Sequence, residues 1–403
     1  MKSTLGTNNF QRIRDWLFNS KYSFYIIPFV FLMFFLFTKG IPHPSGYYLI
    51  HYLYNYEKGF SPRGFVGEVI SWFTDSVTDE LIANVNLVFS VLLVIAASCY
   101  FGKALNQTKS KEKSFSYAMA IIVIISFIPA SFSMFFESIH LDKILWVLTL
   151  FAVLLVNSKF GLWFIPFLCI ISVLINPIYV FGSMILIAII LLQNFYSNGF
   201  KLKNGLVCFI TYTAIIAIAL YGTYHEQNVH LFDTPSEMVD FYFSRYAGQL
   251  DSNTYNKFIT EWLFDFFEPI DKVFELCFNY YFKDWGFGQK TVFGTLLLGI
   301  PVWSIFFKIW HFAIKFEKNY FQKNIYFLCL ISPITIIPVL IFGWEFPRYF
   351  HENLLMQLYL ILYFIANDHA PVIEGINSLI NYFKQNVLIG AATLLHFIFI
   401  IAI

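Results

Sequence analysis

Apolar runs of about 17 to 22 residues recur along the whole chain, each long enough to cross a hydrocarbon core about 30 Å thick. Only helices and closed barrels satisfy every backbone polar group in such a setting, and runs of this length specify helices. The 403 residues are 58% hydrophobic and only 13% charged, far more apolar than a soluble domain of this size. The expected fold is therefore all-α: a polytopic transmembrane helix bundle of about eleven spans, within a single membrane domain covering 1–403. The spans are expected near 22–41, 81–102, 115–135, 142–158, 160–176, 177–196, 204–224, 291–311, 323–343, 350–367 and 385–403. The first is too long for a signal peptide and lacks a small-residue cleavage site, so it reads as a retained helix.

The fifth and sixth spans form one apolar stretch broken at Asn176-Pro177. Proline disfavours helix at the residue before it, so two helices joined by a tight turn are expected there. Charge supports the split. With the N-terminus in the cytoplasm, most of the 26 Lys and Arg fall in inside segments, and nearly all of the 25 Asp and Glu fall outside. The net charge of +1 hides this segregation. The pattern predicts a multi-pass protein of a bacterial inner membrane with an acidic outer face, embedded among membrane lipids.

Two outer segments are large: 42–80 and 225–290. In the first, the halves 46–56 and 65–73 are too short to span a bilayer and suit interfacial helices. In the second, residues 258–281 alternate apolar and acidic faces at helical spacing, as a surface-lying amphipathic helix does. The stretch 371–383 has the same pattern on the inner side.

The outer segments carry three polar constellations. HPSGYYLIHYLYNYEKGFSPRGFVGEVISWF holds Glu57, Arg63 and Glu68, with Arg63 on a Gly- and Pro-fixed turn suited to a phosphate or pyrophosphate. Arg63 can equally meet lipid phosphate or pair with Glu57. FFESIHLDKILW holds Glu137, His140 and Asp142 where one helix ends and the next begins. Asp142 also fits a plain helix N-terminus, and Lys143 can neutralise either acid. GWEFPRYFHENLLMQ holds Glu345, Arg348, His351 and Glu352; Arg348 and Glu352 are spaced to pair along one helix edge. Arg245 adds a cation in the long loop.

Several classes lack support. There is no basic stripe with interleaved aromatics for nucleic acid. No Walker loop, GxSxG or HExxH occurs, and no row of intramembrane charges marks an ion route. Cysteine and histidine spacing gives neither a disulfide framework nor a zinc site. No cofactor is expected, and a divalent metal requirement stays open.

A substrate that stays with the membrane, reaches its outer face and carries phosphate and polar groups fits these clusters. A polyprenyl-(pyro)phosphate-linked saccharide has those properties. In layout the chain resembles the polytopic GT-C glycosyltransferases and the O-antigen or capsular repeat-unit polymerases. The resemblance rests on the first outer loop GYYLIHYLYNYEKGFSPRGFVGEVISWF, the acidic second loop FESIHLD and the long late loop. It implies a catalytic acid in the first outer loop, at Glu57 or Glu68, and another at Asp142, with Glu137 and His140 as further base candidates. The polymerases lean on outer-loop arginines and histidines, which implies phosphate binding by Arg63, Arg245 and Arg348 and substrate contacts from His351 and Glu345. The acid common just after the first helix in GT-C enzymes is absent; His43-Pro44-Ser45 stands there. The expected activity is periplasmic-face glycosyl transfer, most simply repeat-unit polymerisation in lipopolysaccharide or capsule assembly, beside other polysaccharide-assembly proteins. The alternatives are a single-sugar GT-C transferase and a non-enzymatic flippase for the same lipid.

Overall fold

The structure is a computed structural model, and it describes residues 22, 25–26, 28–30, 33, 49–60, 63–108, 141–228, 231–259, 272, 275–276, 278–279, 287–337 and 346–402. The expected spans near 22–41 and 115–135 lie largely or wholly outside these residues, as does most of 258–281. The described residues are helical, with a single isolated β-bridge between Val77 and Tyr246.

Two short helices, α1 (Ile50–Leu53) and α2 (Phe65–Ser71), lie within the segment 42–80. They match the two short halves expected there. The long α3 (Asp79–Thr108) follows, its first turn holding Asp79 and Glu80 where the helix dipole favours acids. Next come α4 (Asp142–Leu155), a 3-10 turn at Gly161–Phe164, and α5 (Ile165–Ile175). Asn176 is extended, as its position before Pro177 requires, and a second 3-10 turn (Pro177–Phe181) leads into α6 (Ser183–Ser197). The apolar stretch 160–196 is thus two helices.

The chain continues through α7 (Leu202–Asn228), α8 (Pro235–Phe243) and α9 (Ser252–Lys257). Then follow α10 (Phe287–Phe316), α11 (Tyr320–Ile331), a 3-10 turn (Ser332–Ile336), α12 (Phe346–Ala366), α13 (Ala370–Gln385) and α14 (Val387–Ala402). Two of the described helices, over Asp79–Gln107 and Leu202–Gly222, are long and apolar enough to cross a membrane. Several others are shorter than expected from the apolar runs, because 3-10 segments take the first turns of α5 and α6, the latter from Pro177, and the turn after α11 at Pro333.

Helix α12 forms the centre. Every residue from Glu352 to Ala366 is buried, and α3, α6, α10 and α13 pack around it. A helix buried on all sides needs its polar groups answered by neighbours. Gln357 meets this demand three times. Its Oε1 accepts from Trp310 Nε1 at 2.7 Å, and its Nε2 donates to Cys329 O at 3.0 Å and Ser332 Oγ at 2.7 Å.

Hydrogen bonds define the two ends of the bundle. At one, Asn194 Nδ2 reaches Asn157 Oδ1 (3.3 Å), Gln322 Nε2 reaches Gln193 Oε1 (2.8 Å), and Asn157 Nδ2 reaches Asn367 Oδ1 (3.3 Å). The ends of α4, α6 and α12 and the start of α11 therefore meet there, along with Lys159, Lys203 and Lys323. At the other end, Tyr52 of α1 donates to Asn86 near the start of α3 (3.0 Å), and Gly182 before α6 faces Glu352 near the start of α12. The segregation of charge in the sequence thus has a counterpart in the two ends of the bundle.

Helix α13 departs from expectation. Its apolar stripe, Val372, Ile373, Gly375, Ile376 and Leu379, is buried and packs on α10 instead of lying free on a surface. Gly375 permits the approach: a β-carbon there would sit 2.7 Å from the Ile309 carbonyl oxygen. Gly375→Ala should therefore destabilise the bundle by about 1–3 kcal/mol through overpacking. Gly294→Ala, where a β-carbon meets nothing within 4 Å, should not. Thermal midpoints of the two purified variants check this; equal midpoints would refute the close α10–α13 crossing.

His369 bonds Tyr326 O–H through Nδ1 (3.0 Å), and burial holds its pKa below the ordinary value of 6.5 against the opposing pull of Glu317 and Asp368. A depressed folded-state pKa leaves stability intact above about pH 6.5 and erodes it as pH falls through the folded value. Acidification from pH 7 to 5 should lower the thermal midpoint, and His369→Gln should reduce that dependence.

Candidate functional site

The site lies at the acidic end, where α1 and α2 sit beside α3, α5 and α8. Gly67 lets α2 lie directly on the backbone of α1; a β-carbon there would collide with the Tyr54 carbonyl oxygen. Glu68 fixes the pair. Its Oε2 accepts from the Tyr56 amide (2.9 Å) and its Oε1 from Trp72 Nε1 (3.0 Å). Both carboxylate oxygens are therefore engaged, one across the turn between α1 and α2 and the other at the far end of α2. Glu57 is exposed on that turn, and Gly59 adopts φ 138°, a value L side chains rarely adopt. Of the GFSPRG turn, Arg63 is described and half-buried, while Ser61 and Pro62 lie outside the described residues.

The long segment folds back onto this platform. Thr234 caps α8, its Oγ1 accepting from the Glu237 amide (3.2 Å), while Glu237 Oε2 accepts from the Asp233 amide (3.0 Å). Just beyond α8 the backbone clasps Val77 on both sides: Val77 N donates to Arg245 O (2.8 Å) and Ala247 N to Val77 O (2.9 Å). Tyr246 O–H donates to Asp79 at 2.7 Å. Tyr54 and Tyr242 meet edge-on with centroids 4.7 Å apart, and Lys58 Nζ stands 5.2 Å from the Phe241 ring centre. Glu57 is close too: burial first, and then its charge, raise the Tyr242 phenol pKa.

Arg245 is the product of this clasp. Its Nη1 donates to Leu53 O at 3.1 Å, so one edge of the guanidinium is fixed under α1. Its Nη2 is buried with no hydrogen-bond partner. An unanswered buried donor on a permanent cation is costly, and an anion accepting from that group removes the penalty.

Beside this platform lie three buried charges. Asp142 is 1% exposed, Lys143 2% and Glu352 5%. Asp142 opens α4, where the dipole favours it. The Tyr52 phenol pKa is raised by burial and additionally by Asp142, which puts that carboxylate near α1. Glu352 turns inward toward the start of α6: its Oε2 lies 2.7 Å from where a Gly182 β-carbon would sit.

The structure therefore brings Arg245 and Asp142 to α1, the helix just before the Glu57–Arg63–Glu68 segment. Glu137, His140 and Glu345 lie outside the described residues, as do the side chains of Arg348 and His351 on the first turns of α12. The sequence reading undervalued Lys143 and Glu352. Their signal was a charge embedded in a strongly apolar run, which is rare without a partner or a purpose. It gave no weight to Val77 or Tyr246, which no local pattern marks.

Among the described residues, no three His, Cys, Asp or Glu side chains are grouped to hold a metal ion. No protein-family profile matches the chain, and neither does any curated protein or solved structure. The reading of this end therefore stands on its residues alone.

Glu68→Ala removes the acceptor for two N–H donors, and loosening the α1–α2 turn should lower stability by about 1–3 kcal/mol. Asp75→Ala, at an exposed position, should leave the thermal midpoint unchanged. A Glu68→Ala variant as stable as Asp75→Ala would show that the tie carries no load.

Proposed function

We propose that the chain is a multi-pass protein of the bacterial inner membrane that transfers glycosyl units from a polyprenyl-(pyro)phosphate-linked saccharide at its acidic, outward end. Repeat-unit polymerisation of O-antigen or capsular polysaccharide is the form of this activity we favour. Helix α7 supports the membrane setting. Only 22% of its apolar stretch is buried, whereas the core helix of a soluble protein would be mostly buried. Phe209, Ile216 and Leu220 on that helix are exposed. Patches of this kind are rare on soluble monomers.

The observation that carries the reaction is the buried, unanswered Nη2 of Arg245 beside an acidic platform. In the proposed transfer, an acceptor hydroxyl attacks the anomeric carbon and the bond from that carbon to the lipid phosphate oxygen breaks. The leaving phosphate keeps the electron pair, and its charge falls to Arg245 and Arg63. A carboxylate takes the proton from the hydroxyl. Asp142 suits that role: it sits at the start of α4 with Lys143 next to it and acts on Tyr52 of α1. Glu57 is the exposed alternative. Glu68 acts as a positioning residue, since both its oxygens hold the chain itself. Arg348, His351, Glu137, His140 and Glu345 complete the set of groups proposed to meet the saccharide.

The buried charges among the described residues are Asp142, Lys143 and Glu352, near the starts of α4 and α12 at this end. A flippase would place charge along the middle of the bundle. This arrangement favours chemistry at one rim.

Loss of the chain should make a lipid-linked saccharide accumulate while the finished polymer disappears. Arg245→Ala should reproduce both effects, with transfer reduced roughly 100-fold or more, as when a transition-state charge loses its donor. Extraction of lipid-linked saccharides and a polymer-length profile read the outcome. Normal polymer in a stably expressed Arg245→Ala strain would remove Arg245 from the mechanism.

A further inference from the structure

The basic end carries a surface that the proposed transfer does not use. Two turns lie side by side there: the one between α4 and α5, and the one between α6 and α7. They are locked together. Lys203 Nζ donates to the Lys159 carbonyl (2.5 Å), and Asn194 Nδ2 joins Val156 O (3.3 Å) and Asn157 Oδ1 (3.3 Å). Asn204 Nδ2 in turn reaches Asn194 Oδ1 (2.5 Å). The surface is therefore built and fixed, not a chance meeting of flexible loops.

Its composition is unusual. Lys159 and Lys201 are exposed and Lys203 half-buried, while no Asp or Glu occurs anywhere between residues 143 and 225. Asp368 approaches from another element, next to Asn367, which bonds Asn157. Among the lysines stand large apolar side chains with nothing over them: Leu202 is 86% exposed, Phe160 76% and Trp163 45%. Lys159 Nζ lies 5.9 Å from the Phe160 ring centre and Lys203 Nζ 5.6 Å from that of Trp163. Each ammonium is thus held at the rim of an aromatic face. Cations above rings, with aliphatic and aromatic tips projecting past them, match an ionic layer lying over an apolar one.

We infer that these paired turns bind the phosphate head group of an anionic phospholipid, with Lys159, Lys201 and Lys203 on the phosphate and Phe160, Trp163 and Leu202 among the upper acyl carbons. Nucleic acid is a poorer match, because an exposed leucine offers it neither stacking nor charge. The inference rests on the membrane setting proposed above but not on the glycosyl chemistry. It assigns this end a partner that anchors the bundle from the side opposite the site.

The test uses the purified full-length chain in neutral detergent, titrated with phosphatidylglycerol or with phosphatidylcholine of the same acyl chains, and read by native mass spectrometry. Each lysine near an anionic surface should be worth about a fivefold change in affinity. Phosphatidylglycerol should therefore bind at least about tenfold more tightly than phosphatidylcholine. Lys159→Gln/Lys201→Gln/Lys203→Gln should erase that preference without changing phosphatidylcholine binding. Lys201→Gln alone avoids the Lys203–Lys159 hydrogen bond and should reduce the preference about fivefold. Equal affinity of the wild type for the two lipids would overturn the inference, as would a preference that survives in the triple variant or is undiminished in Lys201→Gln. Alkali-washed membranes test the setting separately: a chain released by the wash defeats the membrane reading, whereas a retained chain without lipid preference defeats only this surface.

Discussion

A polar group inside an apolar bundle has to be answered inside the bundle, and helix α12 imposes that constraint on everything around it. From Glu352 to Ala366 it has no exposed face. Its glutamine at 357 draws the indole of Trp310 from α10 and the Cys329 carbonyl and Ser332 hydroxyl from the end of α11. Trp303 and Phe350 repeat the same α10–α12 contact seven residues earlier on both helices, with ring centres 5.4 Å apart. Phenylalanine cannot accept a hydrogen bond, so the Trp303 N–H is left buried without the partner that Trp310 has. Polar pairing thus fixes the register of α10, α11 and α12 near the basic half, and leaves it looser toward the acidic one.

That difference suits the division of labour proposed for the two ends. At the basic end, amides on four elements interlock: exposed Asn157 with buried Asn194 and Asn204, and buried Gln193 on Gln322. At the acidic end the platform is held by fewer and more specific ties: Glu68 across the α1–α2 turn, Gly67 against Tyr54, and the backbone clasp of Val77 with Arg245 and Ala247. Those ties leave one guanidinium half-satisfied, which is expensive unless a ligand uses it. A rigid base and a strained rim are the usual arrangement for a site built on a scaffold.

The legible part of this architecture was the local part. Asn176-Pro177 announced the break between α5 and α6 because proline acts on its immediate neighbour. The short aromatic halves of the first outer segment announced α1 and α2 because their length excluded a span. What stayed hidden was the long-range part. Arg245 reaches Leu53 from far along the chain, and no spacing rule links them. Glu352 could be placed on an edge with Arg348 by periodicity, yet its inward turn depends on the missing side chain of Gly182, just before α6. The amphipathic pattern of α13 identified an apolar stripe, but only the glycine at 375 reveals that a helix covers it.

The most direct measurement supplies the purified chain, reconstituted in vesicles, with a polyprenyl-pyrophosphate-linked saccharide and follows both the lipid and the sugar. Glycosyl transfer at the acidic end predicts release of polyprenyl pyrophosphate together with a longer saccharide, both lost in Arg245→Ala. Recovery of the starting saccharide unchanged, whether left in place or merely moved across the bilayer, would contradict it.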